Sequence, residues 1–480
     1  MLFNSIPFLL FFSIFFIIYW ILLPGKLKLQ NLLLLLGCYV FYCWFDWKFG
    51  FIIIFHSLIA FSLGLIIYKT PDLKLKSRIL TIAVIFYVMS LAYFKYLNFF
   101  IISINTAVRF SGHTPYLHTL SILLPLGISF FTFRILSYLF DIRNGKLEPT
   151  SDLVIFLSYV AFFPSLVAGP IDKPKLLIPQ FQKSRVFDYV EAADGLRQIL
   201  WGLFKKIVVA NNSAGVVDYA FRSNKQHGFL LVYGAFFYAI EIYADFSGYS
   251  DMALGIARLL GFQITRNFNN PYFSQNIADF WRRWHISLTS WLTEYIFTPA
   301  SIAFRDLGNA GNIIAILITF LVSGLWHGAN WTFVAWGFLH GCYFIPLILM
   351  GKMNKKKSID TAQLLPSFRQ SVNMLLTFIL VMLTLVMFRA DSIQSAMNTY
   401  INIFDIYPVT AFKVDVPLLV FAFVMLSVEW FHRDRKHGLD IARINNMTLR
   451  WTVYVGFVFL ILFFIVGGEH KNNAFIYMKF

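Results

Sequence analysis

Apolar runs close to the ~20 residues that cross a bilayer recur along almost the whole of this 480-residue chain, and that recurrence constrains the fold more than any other feature. Backbone polar groups in lipid must be satisfied internally, which leaves helices or a closed barrel. The runs show no period-2 alternation, so the chain is predicted to be all-α and membrane-embedded. They fall near 7–24, 30–45, 49–68, 79–104, 120–140, 152–168, 229–245, 312–326, 329–350, 372–388, 414–430 and 451–467. Several are short or broken, so the expected count is about 10 to 13 crossings, with interfacial or re-entrant helices besides. The composition agrees. Charged residues make up 13% of the chain and hydrophobic residues 58%, too little charge to cover a soluble domain.

Orientation follows from the basic residues. The first run has none before it and no small-residue cleavage site after it, while Lys26 and Lys28 lie behind it. It reads as a retained helix with its N-terminus outside. The basic loops at 69–78, 351–357 and 432–450 belong on the cytoplasmic face. The net charge of +16 is largely this positive-inside signal, and nucleic-acid binding is not expected. Cys38, Cys43 and Cys342 sit in apolar stretches with no C-x-x-C, and read as small core residues.

The chain reads as one membrane domain, 1–480. Apolar helices fill 1–168, the segment 169–350 carries the candidate chemistry, and 351–480 returns to ordinary spans. Within 169–228, Leu196, Ile199, Leu200, Leu203 and Ile207 recur at helical spacing opposite Arg197, Lys205 and Lys206, a pattern that predicts a helix lying along the interface.

Three segments hold residues that anchoring alone does not require. In the first, Glu241 and Asp245 lie four apart on one helical face, followed by Phe-Ser-Gly-Tyr-Ser-Asp251. Ionisable groups at membrane depth usually face a protein interior or a watery cavity. The competing reading is a helix end emerging into water, with Asp245 and Ser247 capping the next helix. In the second, Asp279-Phe-Trp-Arg-Arg-Trp-His285 runs on to Trp291. One helical face would carry Trp281, Trp284, Leu288, Trp291, Leu292 and Tyr295, the other Arg283, Ser290 and Glu294, with Asp279 able to pair with Arg283. A Trp-belt anchor explains the tryptophans and arginines, but not His285 near the apolar face. The third is Ser323-Gly-Leu-Trp-His327-Gly-Ala-Asn330, which places His327 between two glycines at the end of an apolar run. The glycines allow close approach of a backbone or a ligand. A neutral imidazole there can take a proton from a hydroxyl, which suits acyl transfer to an alcohol; the competing reading is a hydrogen-bonded structural histidine. The candidate catalytic residues are therefore His327 and His285. Asp245, Tyr243, Trp326, Asn330 and Arg283 are candidate substrate contacts, and no metal site is expected. No G-x-S-x-G, Walker A or H-E-x-x-H motif occurs, nor a histidine with an aspartate five residues on, which disfavours a serine hydrolase, an ATPase and a zinc protease.

The segments Phe163-Pro-Ser-Leu-Val-Ala-Gly-Pro170, Tyr243-Ala-Asp-Phe-Ser-Gly-Tyr-Ser-Asp251, Asn269-Asn-Pro-Tyr272, Phe280-Trp-Arg-Arg-Trp-His-Ile-Ser-Leu288 and Gly324-Leu-Trp-His-Gly328 follow in that order. Together with Pro125-Leu-Gly-Ile-Ser-Phe-Phe131 and the closing Ala474-Phe-Ile-Tyr477, they resemble the membrane-bound O-acyltransferase (MBOAT) family, in particular its bacterial alginate O-acetylation branch, with the D-alanyl transfer protein of teichoic acid synthesis as a cousin. The resemblance implies helices around a thinned central funnel. It maps the family's histidine onto His327 and the branch's upstream histidine onto His285. Relatives often follow the Trp-His helix with Leu-Arg-Asp-Tyr and a Leu-Gly-Gly-Asn-Arg turn, whereas this chain has Leu292-Thr-Glu-Tyr295 and Pro299-Ala-Ser-Ile-Ala-Phe-Arg305. That departure bears on the acceptor or partner rather than on the core chemistry.

The reading is an O-acyltransferase of a bacterial inner membrane, passing an acetyl group from cytosolic acetyl-CoA toward an envelope polysaccharide, directly or through a periplasmic SGNH-type acetyltransferase. The alternatives are D-alanyl transfer from a carrier protein and, in another class, a transporter or flippase. Clustering of the ionisable residues in 241–331 without visible repeats favours the enzyme. The orientation is testable. A cysteine placed at Lys355 should resist membrane-impermeant thiol reagents in intact cells and react after permeabilisation; ready labelling in intact cells reverses the topology.

Overall fold

Every regular element among the described residues is helical. The computed structural model describes residues 1–222, 227–353, 355, 363–405, 414–467 and 475–476. Lys356 and Lys357 of the basic loop, and Ala474 and Tyr477 of the closing motif, lie outside them. Seven helices among the described residues are long and apolar enough to cross a bilayer, namely Lys48–Lys69, Leu73–Phe110, Phe229–Leu259, Asn309–His327, Trp331–Leu349, Phe368–Arg389 and Met447–Gly467. Four shorter apolar helices, Ile6–Leu22, Leu27–Cys43, Leu153–Leu166 and Val416–Phe431, account for other expected spans. The chain is an all-helical, multi-pass membrane protein. It divides into two compact units, one of Met1–Tyr189 with Leu260–Ile264 and the other of Val190–Leu259 with Thr265–Phe480.

In the first unit, the expected span at 120–140 is not a lipid-facing one. Residues 113–125 have no regular structure, and the Ile128–Arg143 helix that follows is buried on nearly every side. Its Arg134 is fully buried and donates to the carbonyls of Val160 (3.2 Å), Ser165 (2.8 Å) and Pro170 (3.2 Å), and to Ser165 Oγ (2.5 Å). The Phe163–Pro170 motif is thus the cage of a guanidinium, whose rigid fork of five donors suits several carbonyls at once.

The second unit is built on the Phe229–Leu259 helix, which is buried over 78% of its apolar window, against 6% for Met447–Gly467. The expected span at 229–245 does not stop at Asp245; the helix runs 31 residues, so Asp245 and Ser247 cap nothing. The segment predicted to lie along the interface instead packs into this helix as Tyr189–Leu203 and its wider-wound continuation Phe204–Ala210. Glycines make the approach possible. A Cβ on Gly195 would come within 2.9 Å of the Gly255 carbonyl oxygen, and one on Gly202 within 2.5 Å of the Gly248 oxygen. The buried face carries Gly195, Gln198 and Gly202, and continues into Lys205 and Lys206, each 2% exposed, while Leu196 faces out. Lys205 and Lys206 are therefore no solvated face: they point inward because carboxylates on the neighbouring helix receive them, while Ile207 of the expected apolar face is buried as well.

This contact is testable with two glycines. Gly255→Ala drives a Cβ against the Gly195 backbone oxygen and should destabilise the protein by about 1–3 kcal/mol. Gly456→Ala meets open space on a lipid-facing helix and should be neutral or slightly stabilising. Thermal unfolding of both variants in detergent measures the difference.

Candidate active site

His327 is the last residue of the Asn309–His327 helix and is 3% exposed. Asn330 caps the next helix, Trp331–Leu349, by accepting from Thr332 N at 3.1 Å, and its amide donates to the Asp391 carbonyl at 2.9 Å. The glycines around His327 serve the packing of these two helices. A Cβ on Gly324 would strike the Phe333 carbonyl oxygen, one on Gly328 the Phe333 ring, and one on Gly337 the Phe320 oxygen. The His327 ring is consequently walled by aromatics that meet it edge to face: Trp326 at 4.9 Å, Trp336 at 5.0 Å and Phe388 at 5.2 Å between centroids.

The expected continuous Trp helix is broken. Asn276 caps Ile277–Arg283 by accepting from Asp279 N at 2.8 Å, and the predicted Asp279–Arg283 pair is present at 3.0 Å. The chain then leaves the helix at Trp284, and His285 adopts a left-handed conformation (φ 44°) before a second helix, Ile286–Leu292. That conformation costs a non-glycine residue on the order of 1–3 kcal/mol, and such strain clusters at functional sites. Trp281, Trp284 and Trp291 are all buried within the protein, so they form no interfacial belt. His285 is fully buried, with its ring 4.7 Å from Phe246 and 5.8 Å from Trp326. Burial pushes its pKa down to about 3, so the imidazole is neutral at pH 7. Trp326 therefore lies against both histidines, which are 42 residues apart in the chain.

A cavity of about 220 Å³ opens in this unit, lined by neither histidine nor Trp326. Its wall includes Trp281, Thr319 and Phe320, and Ser323, one helical turn before His327. Arg282 and Met353 also line it, and Arg282 donates to the Met353 and Lys355 carbonyls at 3.2 and 3.3 Å.

With this geometry in place, the relatives become informative. Residues 146–388 match the sequence model of the membrane-bound O-acyltransferase family. The probable alginate O-acetylase AlgI of Azotobacter vinelandii is 35% identical over 93% of this chain and 89% of its own length. The chain belongs to the membrane-bound O-acyltransferase family. It is similar also to the peptidoglycan O-acetyltransferase of Helicobacter pylori, at 33% identity over 94% of this chain and 85% of the relative. The teichoic acid D-alanyltransferase of Streptococcus thermophilus is 30% identical over 56% of this chain and 69% of the relative. The protein is thus an O-acyltransferase, and the transporter alternative is set aside.

The other expected contacts of this acyltransferase are held by protein partners. Lys206 pairs with Asp245 at 2.5 Å, and Asp245 also accepts from the Ile476 amide at 2.7 Å. Tyr243 donates to Glu429 at 2.7 Å, beside Lys205, which pairs with Asp251 at 2.5 Å and approaches Glu429 at 3.6 Å. The sequence pattern assigns Lys205 to an interfacial polar face and singles out neither Glu429 nor His340. Trp281 Nε1 donates to His340 Nδ1 at 3.2 Å, and because an indole only donates, His340 Nε2 carries the proton toward Thr384 Oγ1 at 3.0 Å. His340 lies inside an apolar run, so the rule that singled out His327 applied to it equally.

The paired charges yield a prediction. Lys206→Met leaves the Asp245 carboxylate buried without its cation and should cost about 3–5 kcal/mol, whereas Lys206→Met with Asp245→Asn should recover most of that loss. Detergent thermal unfolding of the single and double variants checks it.

Proposed function

We propose that this acyltransferase moves an acetyl group from cytosolic acetyl-CoA to a hydroxyl destined for an envelope polysaccharide, in a bacterial inner membrane, either directly or through a periplasmic SGNH-type acetyltransferase. The observation that carries the reading is the convergence of His327 and His285 on Trp326, together with a cavity lined by Ser323, one helical turn before His327, and by Arg282 and Met353 at the loop of Lys352 and Lys355. The positive-inside rule puts that loop on the cytosolic side, where a thioester donor is available. The names of the two O-acetyl-transferring relatives favour acetyl over D-alanyl, since they match over 93% and 94% of this chain against 56% for the D-alanyltransferase.

His327 acts as the base. It takes the proton of the acceptor hydroxyl as the oxygen attacks the thioester carbonyl carbon. A C–O bond forms, the C–S bond breaks, and the imidazolium returns the proton to the departing thiolate, so no net proton is released. His285, held neutral by burial, donates a hydrogen bond to the carbonyl oxygen as charge develops on it. The aromatic wall keeps water from competing with the acceptor for the thioester. Arg283, Asn330, Asp245 and Tyr243 contribute by holding the elements that carry these groups.

General-base assistance is typically worth roughly 10²- to 10⁴-fold, so His327→Ala should lower transfer from acetyl-CoA by about that much. His327→Gln keeps a hydrogen-bonding group of similar size but cannot take the proton, and should be nearly as inactive. Transfer rates of both variants, measured beside extracted yield and thermal stability, test the assignment. A well-folded His327→Gln protein working near the wild-type rate removes the base from the mechanism.

A further inference from the structure

The left-handed turn at His285 needs something to hold it, because the flanking sequence would otherwise continue as one helix. The two non-glycine residues with positive φ among the described residues, Asn270 (49°) and His285 (44°), belong to two irregular stretches of chain that run side by side. Asn269 N donates to the Arg283 carbonyl at 3.0 Å, and Ile286 N donates to the Asn267 carbonyl at 2.9 Å, so the chain is tied down on both sides of His285. Any residue at 267 would supply that backbone carbonyl. The asparagine adds three bonds of its own. Its Oδ1 accepts from Ser287 Oγ at 2.6 Å and from Ser287 N at 3.3 Å, and its Nδ2 donates to Ser250 Oγ at 3.3 Å. Ser250 lies on the Phe229–Leu259 helix, one turn beyond Phe246, whose ring packs on the His285 imidazole. Asn267 is fully buried, so water does not compete for these bonds.

We infer that Asn267 is a positioning residue for His285: its amide bridges the helix that packs on the imidazole to the first turn after it, and so fixes the strained turn that sets the ring against Trp326. The amide is suited to the task because it offers an acceptor for two Ser287 donors and, on the other side, a donor for Ser250. Alanine keeps none of the three bonds, and the turn is then free to relax toward helix. A ring displaced by about 1 Å from a productive geometry costs on the order of 10²-fold in rate. The inference rests on the role given to His285 above.

The test is a double-mutant cycle on the full chain, following label from [¹⁴C]acetyl-CoA into envelope polymer in membranes prepared from cells carrying each variant, normalised to the amount of the protein present. Asn267→Ala should lower the rate about 10- to 100-fold. In the His285→Ala background the same change should have little further effect, because a lost ring has no position to lose. Should Asn267→Ala depress both backgrounds by the same factor, its role is general stability and the inference is wrong; full activity in Asn267→Ala overturns it equally. If His285→Ala is itself fully active, the role of His285 fails and takes the inference with it. A loss in His285→Ala beside a wild-type rate in Asn267→Ala overturns the inference alone. If Asn267→Ala does not accumulate, Ser287→Ala, which removes the 2.6 Å bond and leaves the asparagine in place, serves instead. It should show a smaller loss with the same non-additivity, and an equal factor in both backgrounds again overturns the inference.

Discussion

The close approach of two helices at glycines supports the whole second unit. Where Gly195 and Gly202 meet Gly255 and Gly248, the backbones come near enough that Lys205 and Lys206 can reach carboxylates on the neighbouring helix. Separate that pair by a methyl group and two buried cations lose their partners, a cost far above that of the displaced apolar surface. The ion pairs then spread outward. Asp245 holds the Ile476 amide, and Glu429 joins Lys205 to Tyr243, whose ring packs at a tilt against Tyr272 and Trp284 at 4.9 and 6.0 Å. Trp284 directly precedes His285, so the packing of the glycine helices reaches the edge of the candidate site through a continuous set of contacts.

Much of this was legible in the sequence, and the remainder was hidden for identifiable reasons. The apolar runs gave the helical class because length and hydropathy alone decide whether a segment can sit in lipid. His327 was legible because an ionisable residue in an apolar run has few reasons to be there. The break at His285 was not, since the helical periodicity passes through Trp284 and His285 without a glycine or proline to mark it. What ends the helix is a set of hydrogen bonds to residues 267 and 269, and no local pattern contains that information. The inward-facing lysines were misread because a helical wheel assumes that charge means solvent. A signal was available: Gly195 and Gly202 lie seven residues apart, as do Gly248 and Gly255, a spacing that places small residues along one face of each helix.

Conformational rigidity is distributed unevenly around the two histidines. His327 closes a regular helix, and its place follows from the packing of Asn309–His327 against Trp331–Leu349. His285 sits in a turn that departs from local preference and depends on distant partners. His327 is therefore carried by ordinary helix packing, while His285 is carried by a polar network in which Asn267 takes part. The second arrangement is the more sensitive to substitution far from the chemistry.

The aromatic wall around His327 has one more consequence. An imidazole that took up a proton here would become a cation bordered by the rings of Trp326, Trp336 and Phe388, all with centroids within 5.2 Å. A ring face attracts a positive charge at such distances, by about 0.5–2 kcal/mol where water is excluded. Where a ring turns its face to such a cation, its quadrupole would give some of the support that an aspartate gives in soluble triads, without placing a permanent anion in the low-dielectric interior of the membrane.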